Sequence, residues 1–174
     1  MLIFTGDNGG LELGKVTDNL GVRAGKGSAY EGGVRVPLIV YWPGKTKAGS
    51  ETDIPAITPD IPATLAEAAG LEKRAFDGVS LIPVLGGGKM AERPVFWHYP
   101  HYHPGGATPY SAIREGDFRL VHFYEDERDE LYNLAADPEE KDDLTVKNAE
   151  KGKDLRGKLD RWLKATGAQF PTRK

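Results

Sequence analysis

An α/β architecture is predicted by three features of this sequence. Two apolar runs near the start, Leu2 to Phe4 and Val34 to Trp42, read as strands, and a capped helical pattern follows the second. Farther on, short strand patterns separated by turn residues lead into a final amphipathic helix. The expected fold is part of a mixed sheet with a flanking helix, followed by a small antiparallel sheet packed on a C-terminal helix.

The run Leu2-Ile3-Phe4 is broken by Gly6, Asp7, Asn8, Gly9 and Gly10, as expected of a buried strand that delivers a polar turn at its C-terminal end. Residues 11 to 33 are Gly-rich and lack helical periodicity, so they predict a long functional loop. Val34 to Trp42 (VRVPLIVYW) is continuously apolar and closed by Pro43-Gly44, which predicts a strand buried on both faces beside the first. Thr58 as N-cap and Pro59 at the first helical position open a helix, with Ile61, Leu65 and Ala68 or Ala69 on one face and Gly70 as its stop. The Gly86 to Gly88 run reads as a turn, since no GK[ST] accompanies it.

Arg93 to Tyr99 predicts a third strand, and the Pro- and Gly-containing segment His101 to Pro109 a crossing between lobes. A boundary near residue 105 would divide the chain into 1–105 and 106–174. In the second part, Ser111 to Arg114, Phe118 to Tyr124 and Glu130 to Tyr132 predict an antiparallel sheet with a turn at Glu115-Gly116-Asp117. Asp137-Pro138 with Glu140 has the form of a capping arrangement for a short helical turn. Leu155, Leu159, Trp162 and Leu163 then recur at helical spacing within Asn148 to Thr166, a stripe expected to pack on the small sheet.

Composition narrows the function. Of the 174 residues 39% are hydrophobic and 28% charged, with a net charge of −3, and no apolar run reaches membrane-spanning length. The N-terminus has neither the basic leader nor the long apolar segment of a secretion signal. Residues 125 to 143 hold ten acidic side chains against Arg128 and Lys141, which speaks against a nucleic-acid surface and reads as a solvated loop and helix start. With no Cys, disulfides, thiolate metal sites and thiol catalysis are excluded.

Three groups of residues carry possible chemistry. Asp7 and Asn8 set a carboxylate and an amide oxygen side by side, a pairing suited to a hard divalent cation, although the pair alone equally serves to cap a turn. Lys26 stands between Gly25 and Gly27, where small neighbours allow close approach of an anion; an exposed loop lysine is the plainer reading. His98, His101 and His103 crowd the stretch WHYPHYHPGG, but Pro100 and Pro104 interrupt it, so three converging imidazoles do not follow from spacing. Glu31 and Arg35 are placed to pair across a tight turn.

In order and spacing, FTGDNGGL (Phe4 to Leu11) and GKGSAYEGGVRVP (Gly25 to Pro37) resemble two signature stretches of the sulfatase family, within the alkaline-phosphatase-like group. WHYPHY, SAIREGDFRLVHFY and ELYNLAADPEEKDDL are similar to later parts of the same family, so the resemblance runs along nearly the whole chain, with Phe118 where Trp is frequent. It implies the C-terminal portion of a sulfatase catalytic domain plus its small terminal lobe. It further implies that Asp7 and Asn8 complete a calcium site begun elsewhere, and that Lys26 holds a sulfate oxygen and the formylglycine side chain. The family nucleophile is a modified Cys or Ser in a CxPxR or SxPxR stretch, which this sequence lacks. His98 and His101 are expected to contact the leaving group of a sulfate ester, with nearby Tyr and Trp rings as stacking surfaces. The expectation is a sulfuric ester hydrolase portion that is inactive alone. The alternatives are a non-catalytic module, completed by a separate N-terminal chain or self-associating through an open strand edge, and a related phosphate or phosphonate ester hydrolase. Complete bacterial relatives are often periplasmic or secreted.

Overall fold

The structure is a computed structural model describing residues 1–12, 14, 16–71, 75–104 and 106–172. Contacts divide it into two compact units, Met1–Gly6 with Pro37–Glu92, and Asp7–Val36 with Arg93–Lys174. Gly105, where the sequence suggests a lobe boundary, lies outside the described residues.

In the first unit, strand β1 (Leu2–Thr5) pairs antiparallel with β2 (Leu38–Tyr41), matching Leu2 with Tyr41 and Phe4 with Ile39. The two runs are neighbours as expected, but β2 is shorter than the apolar run and is not buried on both faces. Leu2, Phe4, Ile39 and Tyr41 share one face of the ribbon and are each more than half exposed. Among the described residues the ribbon has no third strand beside it.

Helix α1 (Asp60–Ala68) follows Thr58-Pro59, with Pro59 at the N-cap. Its inner face is not the predicted Ile61–Leu65 stripe: Asp60, Ala63 and Thr64 are buried, and Leu65 is exposed. Polar bonding turns the helix this way. Asp60 accepts the backbone N–H groups of Ile57 and Val79, and Thr64 accepts that of Leu81, so the loop leading to α2 (Ile82–Leu85) is laced to the polar side.

The second unit is built on a four-stranded antiparallel meander, β3 (Val95–Tyr99), β4 (Tyr110–Glu115), β5 (Phe118–Phe123) and β6 (Arg128–Asn133), in that spatial order. The third predicted strand is thus the edge of the small sheet itself, with His98 opposite Ser111. The β4–β5 hairpin turns at Gly116, whose φ of 57° is the left-handed geometry that glycine accepts without cost. Alternation along the strands gives the sheet two apolar faces. On one, Ile113, Leu120 and Leu131 bury Leu155, Leu159 and Leu163 of helix α3 (Ala149–Ala165), and Phe96 stacks on Trp162 with ring centroids 4.7 Å apart. This is the packing that the helical stripe predicts. On the other face, Tyr110, Ala112, Val121 and Phe123 receive Ala29 of the Gly-rich loop, with Tyr30, Trp97 and Tyr99 packed around them. Among the described residues the loop, residues 7 to 36, contains one four-residue helical turn, Glu31–Val34, which takes up the end of the predicted loop and Val34, the first residue of the predicted strand.

Candidate active-site loop

The Gly-rich loop is folded on itself by close backbone approaches that only glycine permits. A Cβ on Gly9 would lie 1.6 Å from the Gly32 carbonyl oxygen, and the Gly9 N–H donates to Gly33 O at 3.0 Å. Asn19 ties the interior: its Oδ1 accepts the Gly10 N–H at 3.1 Å, and its Nδ2 donates to Gly10 O and Ala24 O. Between these anchors the Lys26 N–H donates to Gly10 O at 2.9 Å. That bond ties the Gly-Lys-Gly segment to Gly10, two residues after the Asp7-Asn8 pair.

Asp7 and Lys26 are both exposed, and Asn8 is half-buried. The Asn8 Nδ2 donates to Gly9 O at 2.9 Å, a bond that does not use its Oδ1, a neutral oxygen of the kind a hard cation takes. Asp7 and Asn8 therefore fit a hard cation in donor type. Two residues supply a minority of the six to eight oxygens that calcium takes, and among the described residues no group of three or more His, Cys, Asp or Glu side chains is placed to hold a metal.

The loop is fixed to the sheet through buried charge. Glu31, Arg119 and Glu140 are all nearly or wholly inaccessible. Arg119 Nη1 reaches Glu31 Oε1 at 3.2 Å and Glu140 Oε1 at 3.0 Å, and its Nη2 donates to Ala29 O. Glu140 Oε2 accepts the Glu31 N–H at 2.7 Å. Arg23 donates to Glu140 O at 2.9 Å and to the Tyr132 hydroxyl at 3.1 Å, with its guanidinium 3.6 Å from the Tyr30 ring centroid. Tyr30 and Tyr132 in turn donate to Glu130 Oε2. Burial pushes the Glu140 carboxyl above its usual range despite Arg119. Burial also raises the Tyr132 phenol to about 12, against the lowering pull of Arg23. The predicted Glu31–Arg35 pair is present but long, at 3.9 Å; Arg119 is the nearer partner.

Two expectations about the acidic stretch change here. Glu130 and Glu140 are buried rather than solvated. Glu140 does not close a capping box: at φ 51° it turns inward, while the Asp137 carboxylate accepts the N–H groups of Lys141 and Asp142. A buried arginine holding Glu140 from β5 is the physical reason.

The histidines part company. His98 lies on the helix-covered face of the sheet, opposite to the Gly-rich loop, with Nδ1 bonded to Ser111 Oγ at 2.7 Å and Nε2 to Gln169 O at 2.9 Å. His101 is exposed and packs edge-on against Tyr99, as His103 does at a tilt. Their segment adjoins the Lys26 loop through His103 N–H to Ala107 O and Ala107 N–H to Gly27 O, both 2.9 Å. The structure therefore gathers Asp7, Asn8, Lys26 and the His101 segment around one loop system and sets His98 apart.

Sequence reasoning missed Asn19, Arg23, Arg119 and Glu140. For Arg119 a signal was present, since it shares strand parity with Val121 and Phe123 and so had to enter an apolar face with a partner.

Comparison with known proteins decides the family. The family model described as N-sulphoglucosamine sulphohydrolase, C-terminal, matches residues 25–169. The chain belongs to the sulfatase family. A sulfatase of Formosa agariphila is 38% identical over 95% of this chain and 32% of its own length. Human arylsulfatase A is 35% identical over 71% of the chain and 25% of its own. The crystal structure of Ps i-CgsB superposes with a TM-score of 0.76 at 27% identity, covering 92% of this chain and 35% of that one. A solved enzyme in complex with its substrate D-glucosamine-2-N,6-O-disulfate gives a TM-score of 0.68 at 33% identity, over 77% and 29%. This sulfatase chain thus spans about a third of the length of the first of these relatives and a quarter of the second.

Proposed function

We propose that this chain supplies the C-terminal part of a sulfuric ester hydrolase active site and has no turnover alone. The observation that supports the reading is the Lys26 N–H to Gly10 O bond, which ties the backbone of the anion-binding candidate to a residue two positions after the Asp7-Asn8 pair. Asp7 and Asn8 would hold a calcium ion together with carboxylates from outside this chain. Such a cation, when bound, draws charge from the sulfate oxygens. Lys26 contributes an ammonium on a long, exposed stem, able to meet a sulfate oxygen as negative charge shifts during S–O cleavage. His101 and the rings about it offer contacts to the leaving group; His98, with both ring nitrogens engaged, supports the strand from behind in this arrangement. The chain has no Cys, so a nucleophile derived from that residue must come from another part of a longer polypeptide or from a second chain.

The test uses 4-nitrophenyl sulfate. The 174-residue chain alone is expected to give no hydrolysis above buffer. A chimera in which it replaces the corresponding third of the Formosa agariphila sulfatase is expected to be active, and Lys26→Ala in that chimera to lower kcat/KM by about 10²-fold. Hydrolysis by the isolated chain, or a Lys26→Ala chimera as active as its parent, would sink the proposal.

A further inference from the structure

The segment that carries Lys26 is closed at its neck by a residue far away in the sequence. Arg23 and Glu31 flank the segment, and the Gly32 N–H donates to Arg23 O at 2.9 Å across its base. Inside, Ala24 adopts a φ of 57°, costly for a residue with a Cβ, and Ser28 N–H closes a turn onto Gly25 O. Glu140 meets both flanks at once: its carboxylate accepts the Glu31 N–H and its carbonyl accepts Arg23. Arg119 joins the same carboxylate to Glu31 and to Ala29 O.

We propose that Glu140 is a positioning residue for the Lys26 loop, acting with Arg119 and Arg23 as a clamp that fixes where the ammonium stem emerges. The proposal rests on the reading of Lys26 as an anion binder. Glu140 itself is wholly buried and touches no solvent, so it acts only through the loop. Its left-handed backbone and the Asp137 side chain bonded to the next two N–H groups aim it inward. A local strain at Ala24 persists only while both flanks are gripped.

The experiment is amide hydrogen exchange by NMR on the full chain. In Glu140→Ala, the amides of Lys26 and Gly32 are expected to exchange about tenfold faster relative to those of Leu120 and Val121 in β5. Glu140→Gln, which keeps an acceptor for the Glu31 N–H, is expected to restore most of the protection. Unchanged exchange at Lys26 and Gly32, or acceleration in step with β5, overturns the clamp. Should Glu140→Ala not fold, Arg23→Gln carries the test: it removes one flank contact from a partly exposed position, and wild-type exchange at Lys26 and Gly32 in that variant overturns the proposal equally. The two ideas are judged separately: a Lys26→Ala chimera as active as its parent counts against the anion role of Lys26, whereas the exchange rates alone judge the clamp.

Discussion

Arg119→Met is the sharpest perturbation of this fold. Arg119 is fully buried in β5 and meets two carboxylates, at 3.2 Å and 3.0 Å, and one carbonyl. The methionine fills much of the space but returns no charge, so Glu140 loses its ion-pair partner while Glu31, next to it in space, keeps only the longer contacts with Arg114 at 3.7 Å and Arg35 at 3.9 Å. Breaking a buried ion pair from one side costs about 3–5 kcal/mol, because the remaining charge is stranded. At about 2–4 °C per kcal/mol for a chain of this size, Tm falls by about 6–20 °C. Part of the charge cost is relieved if Glu140 takes up a proton, which its already raised pKa favours. The sign follows: a folded pKa above the unfolded value gives stability that is present at low pH and lost as pH rises through the folded value, so the Arg119→Met deficit should be smaller near pH 5 than near pH 8. Urea unfolding followed by Trp97 and Trp162 fluorescence measures both quantities. A loss under about 1 kcal/mol, or a deficit that does not grow with pH, refutes the view that Arg119 neutralises buried charge.

Gly25→Ala would set a Cβ 2.3 Å from Gly10 O and 2.7 Å from Asn19 Nδ2, so the loop must open; a loss of about 1–3 kcal/mol and faster tryptic cleavage after Lys26 are expected. Asp129 is partly buried, which raises its pKa, but His122 and Arg156 outweigh this and hold it below the usual range. Its stabilising effect is therefore present above the unfolded value and disappears as pH falls through the folded one, so Asp129→Asn should flatten the acid limb of a stability–pH curve below about pH 4. Phe4→Lys places a charge on the exposed ribbon face and should lower light scattering at high concentration without lowering Tm; unchanged scattering would exclude that face as a self-association surface.

Much of the fold is legible because local rules and tertiary packing agree. Leu155, Leu159 and Leu163 announce a helix with one apolar side, and the sheet supplies the surface they need. Gly116 marks a hairpin that forms where the pattern breaks. The ribbon reads less faithfully, because an apolar run reports what a strand can bury and not what lies beside it; Ile39 and Tyr41 are as apolar as a core strand and remain exposed. Around the candidate site, Asp7, Asn8 and Lys26 stand out by residue type among glycines. Glu140 does not, since an acidic residue in an acidic stretch looks solvated until its partner across the sheet is known. His98 shows the converse: its place in a histidine-rich stretch suggests a ligand contact, and the strand register gives it to Ser111 instead.

The clamp also bears on when the loop acquires its shape during synthesis. Vectorial translation releases Arg23, Lys26 and Glu31 long before Glu140, 109 positions after Glu31, leaves the exit tunnel. Until then the neck of the loop lacks its acceptor, and Ala24 has no reason to keep a left-handed backbone. The Lys26 segment would thus take its shape only after residue 140 has emerged, and ribosome-bound chains stalled before that residue should display it in an open, protease-sensitive form.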